Sequence, residues 1–202
     1  MLLQPFRKTL VIVIVIEKHL SQTAFIHQDL IAESIRGNNK ARYELYQLYS
    51  KAMFNVCYRM MNNREDAEDM LQEAFVQAFQ KLETFRNESS FGTWLKTITV
   101  HACINALNKR KLDLRYIDDL HRFETAEEEP EETLYTTENV IEAMNQLPEG
   151  GRIVFSLYLL EGYDHGEIAQ ILNITESTSK TQYMRAKRKV YELMKQTKSR
   201  TI

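Results

Sequence analysis

The sequence predicts an all-α protein: two small helical domains joined by a flexible acidic linker, the second domain built from four helices. Three observations carry this. Proline (3) and glycine (6) are scarce among 202 residues and 27% of the residues are charged, the composition of a helix-rich chain and not of a sheet with many tight turns. Apolar residues recur at three- and four-residue spacing on both sides of the middle of the chain. Between these blocks, TAEEEPEETLYTTE is acidic, contains Pro130 and has almost no apolar periodicity. Such a stretch buries too little surface to offset chain entropy, so 113–136 reads as a tether.

Residues 1–23 form an extension of unknown role. LVIVIVI (Leu10–Ile16) is apolar and β-branched but short, whereas a membrane-spanning helix needs about 20 apolar residues. Arg7 and Lys8 precede it as in a signal peptide, but no small-residue cleavage site follows a full-length apolar region. A packed appendage, an upstream start codon and a membrane-contact segment all fit this composition. The two cysteines, Cys57 and Cys103, sit in apolar helical patterns without metal-site spacing and read as reduced, buried thiols.

The first helical block runs from about Ala24 to Lys111. Gly37, Asn38 and Asn39 interrupt it early. In ARYELYQLYSKAMFNVCYRMM, Leu45, Leu48, Ala52, Val56 and Met60 share helical spacing and predict a buried face. The next helix begins near Asn63 with acids in its first turns, where they favour the positive end of the helix dipole. Its stripe is Ala67, Met70, Leu71, Ala74, Phe75, Ala78 and Leu82. Asn87, Glu88, Ser89 and Ser90 mark a loop, with Ser90 the expected cap of a helix through Lys111.

The second block starts near Thr137. Pro148 suits a first helical position, and Gly162 a helix stop. Asp164 with Glu167 forms a capping-box pattern for a short helix through Leu172. Asn173 suits a left-handed turn, and Thr175 caps the last helix. A short helix, a turn and a longer helix rich in Ser, Thr, Gln, Lys and Arg outline a helix-turn-helix.

Rotating the last helix by about 100° per residue puts Ser179, Tyr183, Ala186, Val190, Leu193 and Met194 on a packing side. Thr181, Arg185 and Arg188 lie opposite, flanked by Ser177, Thr178, Lys180 and Met184. Arg and Lys donate to guanine acceptors, and Thr or Met touches a thymine methyl. Lys187 and Lys189 lie further round, at the angle of phosphates. A basic terminal helix alone is most often simply solvated; the capped helix before it, the Asn turn and the apolar opposite face weigh against that here. Net charge is only -2, but the acids are segregated into the linker and REDAED, which leaves discrete basic patches.

REDAEDMLQEAFVQAFQKLETF, SFGTWLKTI and LPEGGRIVFSLYLLEGYDHGEIAQILNITESTSKTQYMRAKRKV, in that order across an acidic linker, resemble bacterial RNA polymerase sigma factors of the extracytoplasmic-function type, in the sigma-70 family. The likeness covers about Ala24 to Met194. It implies a first domain (24–112) that grips the clamp coiled coil of core RNA polymerase and reads the minus-ten element as single strand. It implies a second (137–197) that contacts the polymerase flap and reads the minus-thirty-five element as duplex. Carried onto this chain, the polymerase-facing residues are Asp69, Gln72, Glu73 and Phe79, acids that suit a basic partner helix. Without the resemblance they would read as an ordinary solvated face.

The loop from Phe85 to Phe91 matches the family's pocket for a flipped base, with Asn87, Glu88, Ser89 and Ser90 as short polar groups and Phe85 and Phe91 as walls. Trp94 is either a strand wedge or core, with core slightly favoured. Lys96, Asn105, Lys109 and Arg110 are phosphate candidates. Gly92 stands where family members commonly place Arg, His101 where Asn is usual, Asn105 where Asp is usual, and Gln182 where Arg is frequent.

The resemblance also implies cytoplasmic location, promoter DNA and an anti-sigma factor as partners, the latter often in the membrane. Neither a Gly-rich phosphate loop nor a carboxylate–metal motif is present in the sequence, so no catalysis, cofactor, metal or small-molecule substrate is expected. The rival readings are a stand-alone helix-turn-helix regulator and a helical enzyme, for which no paired acid and base appear.

Overall fold

The structure, a computed structural model, describes residues 27–109 and 137–199, with the side chains of the second stretch described over 139–196. The extension 1–23, the tether 113–136 and Arg110 lie outside the described residues. Within them are eight α-helices and no strand. They fall into two compact units, one holding 27–109 and the other 137–199. Among the described residues, no helix is long and apolar enough to cross a membrane.

The first unit holds α1 (Gln28–Ile35), α2 (Asn39–Met61), α3 (Arg64–Gln80) and α4 (Phe91–Lys109), with a 3₁₀ turn at Leu82–Thr84. Local chemistry sets the boundaries. Asn38 Oδ1 accepts from the backbone N–H groups of Lys40 and Ala41, starting α2. Asn62 ends that helix in the left-handed region (φ 54°), and Asn63 Oδ1 accepts from Asp66 N–H at 3.1 Å to start α3. Two adjacent asparagines thus reverse the chain, one bearing the positive φ and the other satisfying an orphan donor. Glu65 and Asp66 occupy the first turn of α3, as the dipole argument predicts.

Helix α2 packs against α1, α3 and α4, and α3 packs against α4. Leu45, Cys57, Met60, Ala67, Phe75, Leu95 and Cys103 are buried among them. Both cysteines are buried and free. The predicted stripe of α2 needs one correction. Leu48 is 51% exposed, whereas Ala41, Met53 and Cys57 join Leu45, Val56 and Met60 inside. Leu48 sits at the edge of the apolar arc, where a three-residue step leads away from the packed face. On α3, Met70 is half-buried and the remaining stripe is buried as far as Leu82.

The second unit holds α5 (Thr137–Asn145), α6 (Glu149–Leu159), α7 (His165–Leu172) and α8 (Glu176–Ser199). Pro148 is the residue before α6 and not its first residue, a one-position difference in how the end is counted. Gly162 adopts φ 82° in the α6–α7 turn, a conformation costly for any residue with a Cβ. Its core joins Val140, Met144 and Leu147 of α5 and Phe155 of α6 to Ala186, Val190 and Met194 of α8. Helix α6 is buried along nearly its whole length, from Gly150 to Leu157. It is the spine on which α7 and α8 are mounted.

Candidate nucleic-acid interface

The basic face of α8 is built by its start. Asp164 Oδ1 accepts from Glu167 N–H and Glu167 Oε2 from Asp164 N–H, both at 2.8 Å, closing the capping box of α7. Asn173 then turns the chain at φ 52°. Thr175 Oγ1 accepts from Thr178 N–H at 3.0 Å and fixes where α8 begins. These caps orient the helix before any side chain reaches outward.

On α8, Ser179, Gln182, Ala186, Val190 and Met194 are buried, and Tyr183 and Leu193 are half-buried. Ser177, Lys180, Thr181, Met184 and Arg185 are exposed, Met184 at 61%. Thr178, Lys187 and Arg188 are half-buried at the margins. Ser177, Thr181, Arg185 and Arg188 recur at three- and four-residue steps and therefore share one side of the helix. Gln182, which the resemblance aligned with a frequent Arg, points inward. Lys180 pairs with Glu176 at 2.6 Å, and Arg188 and Lys189 each lie 3.7 Å from Glu192. Exposed pairs of this kind contribute well under about 1 kcal/mol, so exchanging them for phosphates costs little.

The Phe85–Phe91 loop is organised differently. Phe85 and Phe91 are buried, the latter 2% exposed, and meet edge to face at 5.7 Å. Trp94 is half-buried and lies 5.3 Å from Phe85 and 5.7 Å from Phe91, centroid to centroid. Tyr49 of α2 packs on Phe91 at 5.1 Å. Four aromatic rings thus form a floor, and the polar tip stands above it. Asn87 and Glu88 are exposed, Ser89 is half-buried, and Asn87 holds φ 59°. Ser90 is buried: its Oγ accepts from Thr93 N–H at 3.1 Å and caps α4. Its hydroxyl is committed to structure, which leaves Asn87, Glu88 and Ser89 as the outward polar groups.

Tyr49 escaped the sequence reading because nothing in a local period ties it to a loop some forty residues later. It also lies against Gly92: a Cβ there would sit 3.1 Å from Tyr49 Cε1, so the ring would have to give by a few tenths of an ångström to admit one.

Along α4, Thr93, Thr97, His101, Asn105 and Lys109 are exposed, and Lys96 is half-buried. On α3, Asp69, Gln72 and Glu73 are exposed at helical spacing, continued by Val76 at 52% exposure. Phe79 is half-buried, against Phe75 at 5.8 Å and under the Arg42 guanidinium at 5.9 Å. No group of His, Cys, Asp and Glu able to hold a metal occurs among the described residues.

Comparison with known proteins bears on these surfaces. The Sigma-70 region 2 family matches residues 45–112, and the Sigma-70, region 4 family matches 137–190. The chain is 31% identical over 165 residues to the RNA polymerase sigma factor YlaC of Bacillus subtilis, covering 78% of this chain and 92% of that one. It is 29% identical over 169 residues to the ECF RNA polymerase sigma factor SigW of the same organism, covering 75% and 88%. Among solved structures, the sigma factor RpoE, in complex with the anti-sigma factor NepR from Bartonella quintana, shares the fold. Its TM-score is 0.50 at 22% identity, over 76% of this chain and 96% of that one.

Proposed function

The chain belongs to the sigma-70 family, in its extracytoplasmic-function branch, and from that premise we propose how its own residues direct promoter-specific initiation by core RNA polymerase. The observation that carries this reading is that each of the two helical units presents a distinct surface with the chemistry to meet DNA. One is a helix face of exposed Thr181, Met184 and Arg185. The other is a polar loop tip over an aromatic floor.

The α8 face reads the minus-thirty-five element in the major groove. Arg185 and Lys180 donate to base-edge acceptors, Thr181 and Met184 touch methyl groups, and Lys187 and Arg188 hold phosphates. The 85–91 loop captures an unstacked base of the minus-ten element. Unstacking costs a few kcal/mol; stacking returns about 1–3 kcal/mol per aromatic contact, and Asn87, Glu88 and Ser89 supply hydrogen bonds to the base edge. Trp94, half-buried beside Phe85, offers its outer face to the edge of the melted strand. Lys96, Asn105 and Lys109 follow the backbone along α4. Asp69, Gln72 and Glu73, with Phe79 at the end of the row, face the polymerase, where acids complement a basic partner helix.

The chain makes and breaks no covalent bond in this scheme; phosphoryl transfer belongs to the polymerase. An anti-sigma factor that holds the two domains together supplies the off state; the RpoE neighbour was solved in complex with an anti-sigma factor, NepR.

The test is transcription of genomic DNA by core polymerase with and without this protein, with transcript ends sequenced. Aligned starts preceded by two shared elements are expected. If no specific start appears while the protein alone binds duplex tightly, the stand-alone regulator reading replaces this one.

A further inference from the structure

The polar residue Ser179 lies on the packing side of α8 and is fully buried. A hydroxyl buried in the first turn of a helix needs a partner, and this one has it across the helix-turn-helix. His165, the first residue of α7, places Nδ1 2.9 Å from Ser179 Oγ. The imidazole also lies flat on Tyr158 of α6, with centroids 4.3 Å apart and planes 11° apart, and meets the edge of Tyr183 at 5.7 Å. One side chain therefore touches all three helices that fix the reading head. Its backbone is held by the capping box that begins at Asp164.

We propose that His165 is a positioning residue for duplex reading: clamped on Tyr158 and bonded to Ser179, it sets the rotation of α8 and hence the reach of Thr181 and Arg185. Thirteen other residues separate it from Ser179, and it touches no DNA in this scheme. The lever is geometric. A helix with its side chains is about 10–12 Å across, so a turn of about 10° moves a side-chain tip by about 1 Å. Base-edge hydrogen bonds tolerate only a few tenths of an ångström. The inference rests on the minus-thirty-five reading above and adds the device that aims it.

The clamp is sensitive to the proton on the ring. In the neutral imidazole either partner can donate: Ser179 O–H to Nδ1, or Nδ1–H to Ser179. Protonation leaves only the second and puts a cation at the positive end of α7 and beside Lys180. The groups facing the ring are Tyr158 from α6, Glu176, Lys180 and Tyr183 from α8, and Asp164 next to it in the chain. Burial and Lys180 lower the imidazole's pKa from 6.5, and Glu176 and Asp164 oppose them in part. The Tyr183 phenol, pushed up to about 12 by burial and by Tyr158, stays neutral. Because the folded pKa is depressed, the clamp's contribution is complete above pH 6.5 and is lost as pH falls through the folded value.

The experiment uses the full chain with core polymerase on a promoter mapped by its transcript ends, and on the same template with the minus-thirty-five element scrambled. The ratio of initiation on the two templates reports duplex reading alone. His165→Phe keeps the stack and loses the bond; Ser179→Val loses the bond and fills the space. Both lower the ratio by about threefold to tenfold, the worth of one hydrogen bond, while His165→Asn stays within about twofold of wild type. The wild-type ratio stays level above about pH 6.5 and falls as the pH is taken progressively below it, and the His165→Phe ratio stays flat. Thermal denaturation of each variant fixes an assay temperature at which all are folded.

A ratio within about twofold of wild type in both bond-deleted variants, or parallel pH profiles in wild type and His165→Phe, overturns the proposal. Wild-type starts that ignore the scrambled element overturn it as well. If wild type yields no specific start at all, the sigma-factor reading fails first and this inference falls with it.

Discussion

The α8 face and the 85–91 loop offer themselves to DNA in opposite ways. On α8 the functional side chains stand on a regular helix, so their common direction follows from helical period and one well-capped start. In the loop the outward groups have no period. Their position depends on Tyr49, Phe85, Phe91 and Trp94 packed beneath them. Duplex DNA has a groove of constant shape that a rigid helix can match. A melted base must be caught by a concave, chemically mixed site, which needs residues from several elements. The difference teaches that the first surface moves as one piece with the platform beneath its helix, whereas the second is assembled from side chains of separate elements.

The largest effect is expected where the α8 platform loses its support. Phe155, fully buried and stacked 5.8 Å from Tyr183, anchors α8 to α6. Phe155→Ala removes about 3–5 kcal/mol, and circular dichroism during thermal unfolding of the full chain measures it. A loss below about 1 kcal/mol would show that α8 does not depend on this core and would break the contrast with the loop.

Next is the helix face itself. Arg185→Ala costs about 1–3 kcal/mol of duplex discrimination at one base pair and leaves the melting temperature within about 2 °C. Competition between promoter variants that differ at single minus-thirty-five positions reads this. An equal loss on every sequence would move Arg185 to the phosphate-binding class.

The loop comes third. Asn87→Gly keeps the positive φ (59°) that the tip requires and deletes the amide. Promoter opening, followed by permanganate reactivity of unpaired thymines, is expected to fall by about 1 kcal/mol, or roughly fivefold. Binding to an intact minus-thirty-five duplex is expected to stay unchanged. A matched fall in both would mean that the two surfaces are not separate readers.

The smallest effect concerns the turn. Asn173→Ala forces an alanine into φ 52° and costs about 1 kcal/mol, whereas Asn173→Gly is close to neutral. Chemical denaturation distinguishes them. Equal stability of the two variants would mean that the turn relaxes and does not set the angle between α7 and α8.

Much of the fold was legible because it is local. Asn63, Asp164 with Glu167, and Thr175 announce helix starts through side-chain oxygens within three residues of the donors they satisfy. The recognition face emerged from a 100° rotation, and the burial of Ala186, Val190 and Met194 agrees with it. Leu48 marks the limit of that method: at the edge of an apolar arc, exposure depends on which neighbour covers it, and none does. Gln182 and Tyr49 mark the same limit in the site, since the first turns inward and the second supports a loop far along the chain.

The sequence by itself determined most of the helix starts, the separation into two helical modules and the outward side of α8. Each of these follows from interactions that reach no further than about four residues along the chain. Only the tertiary structure decided that Phe85 and Phe91 lie beneath the loop as a floor and do not stand as open walls, that Ser90 is committed to a cap, and that His165 meets Ser179. Those facts arise where separate helices press together, and the choice among packings is made by shape and burial over the whole unit, which no short period records.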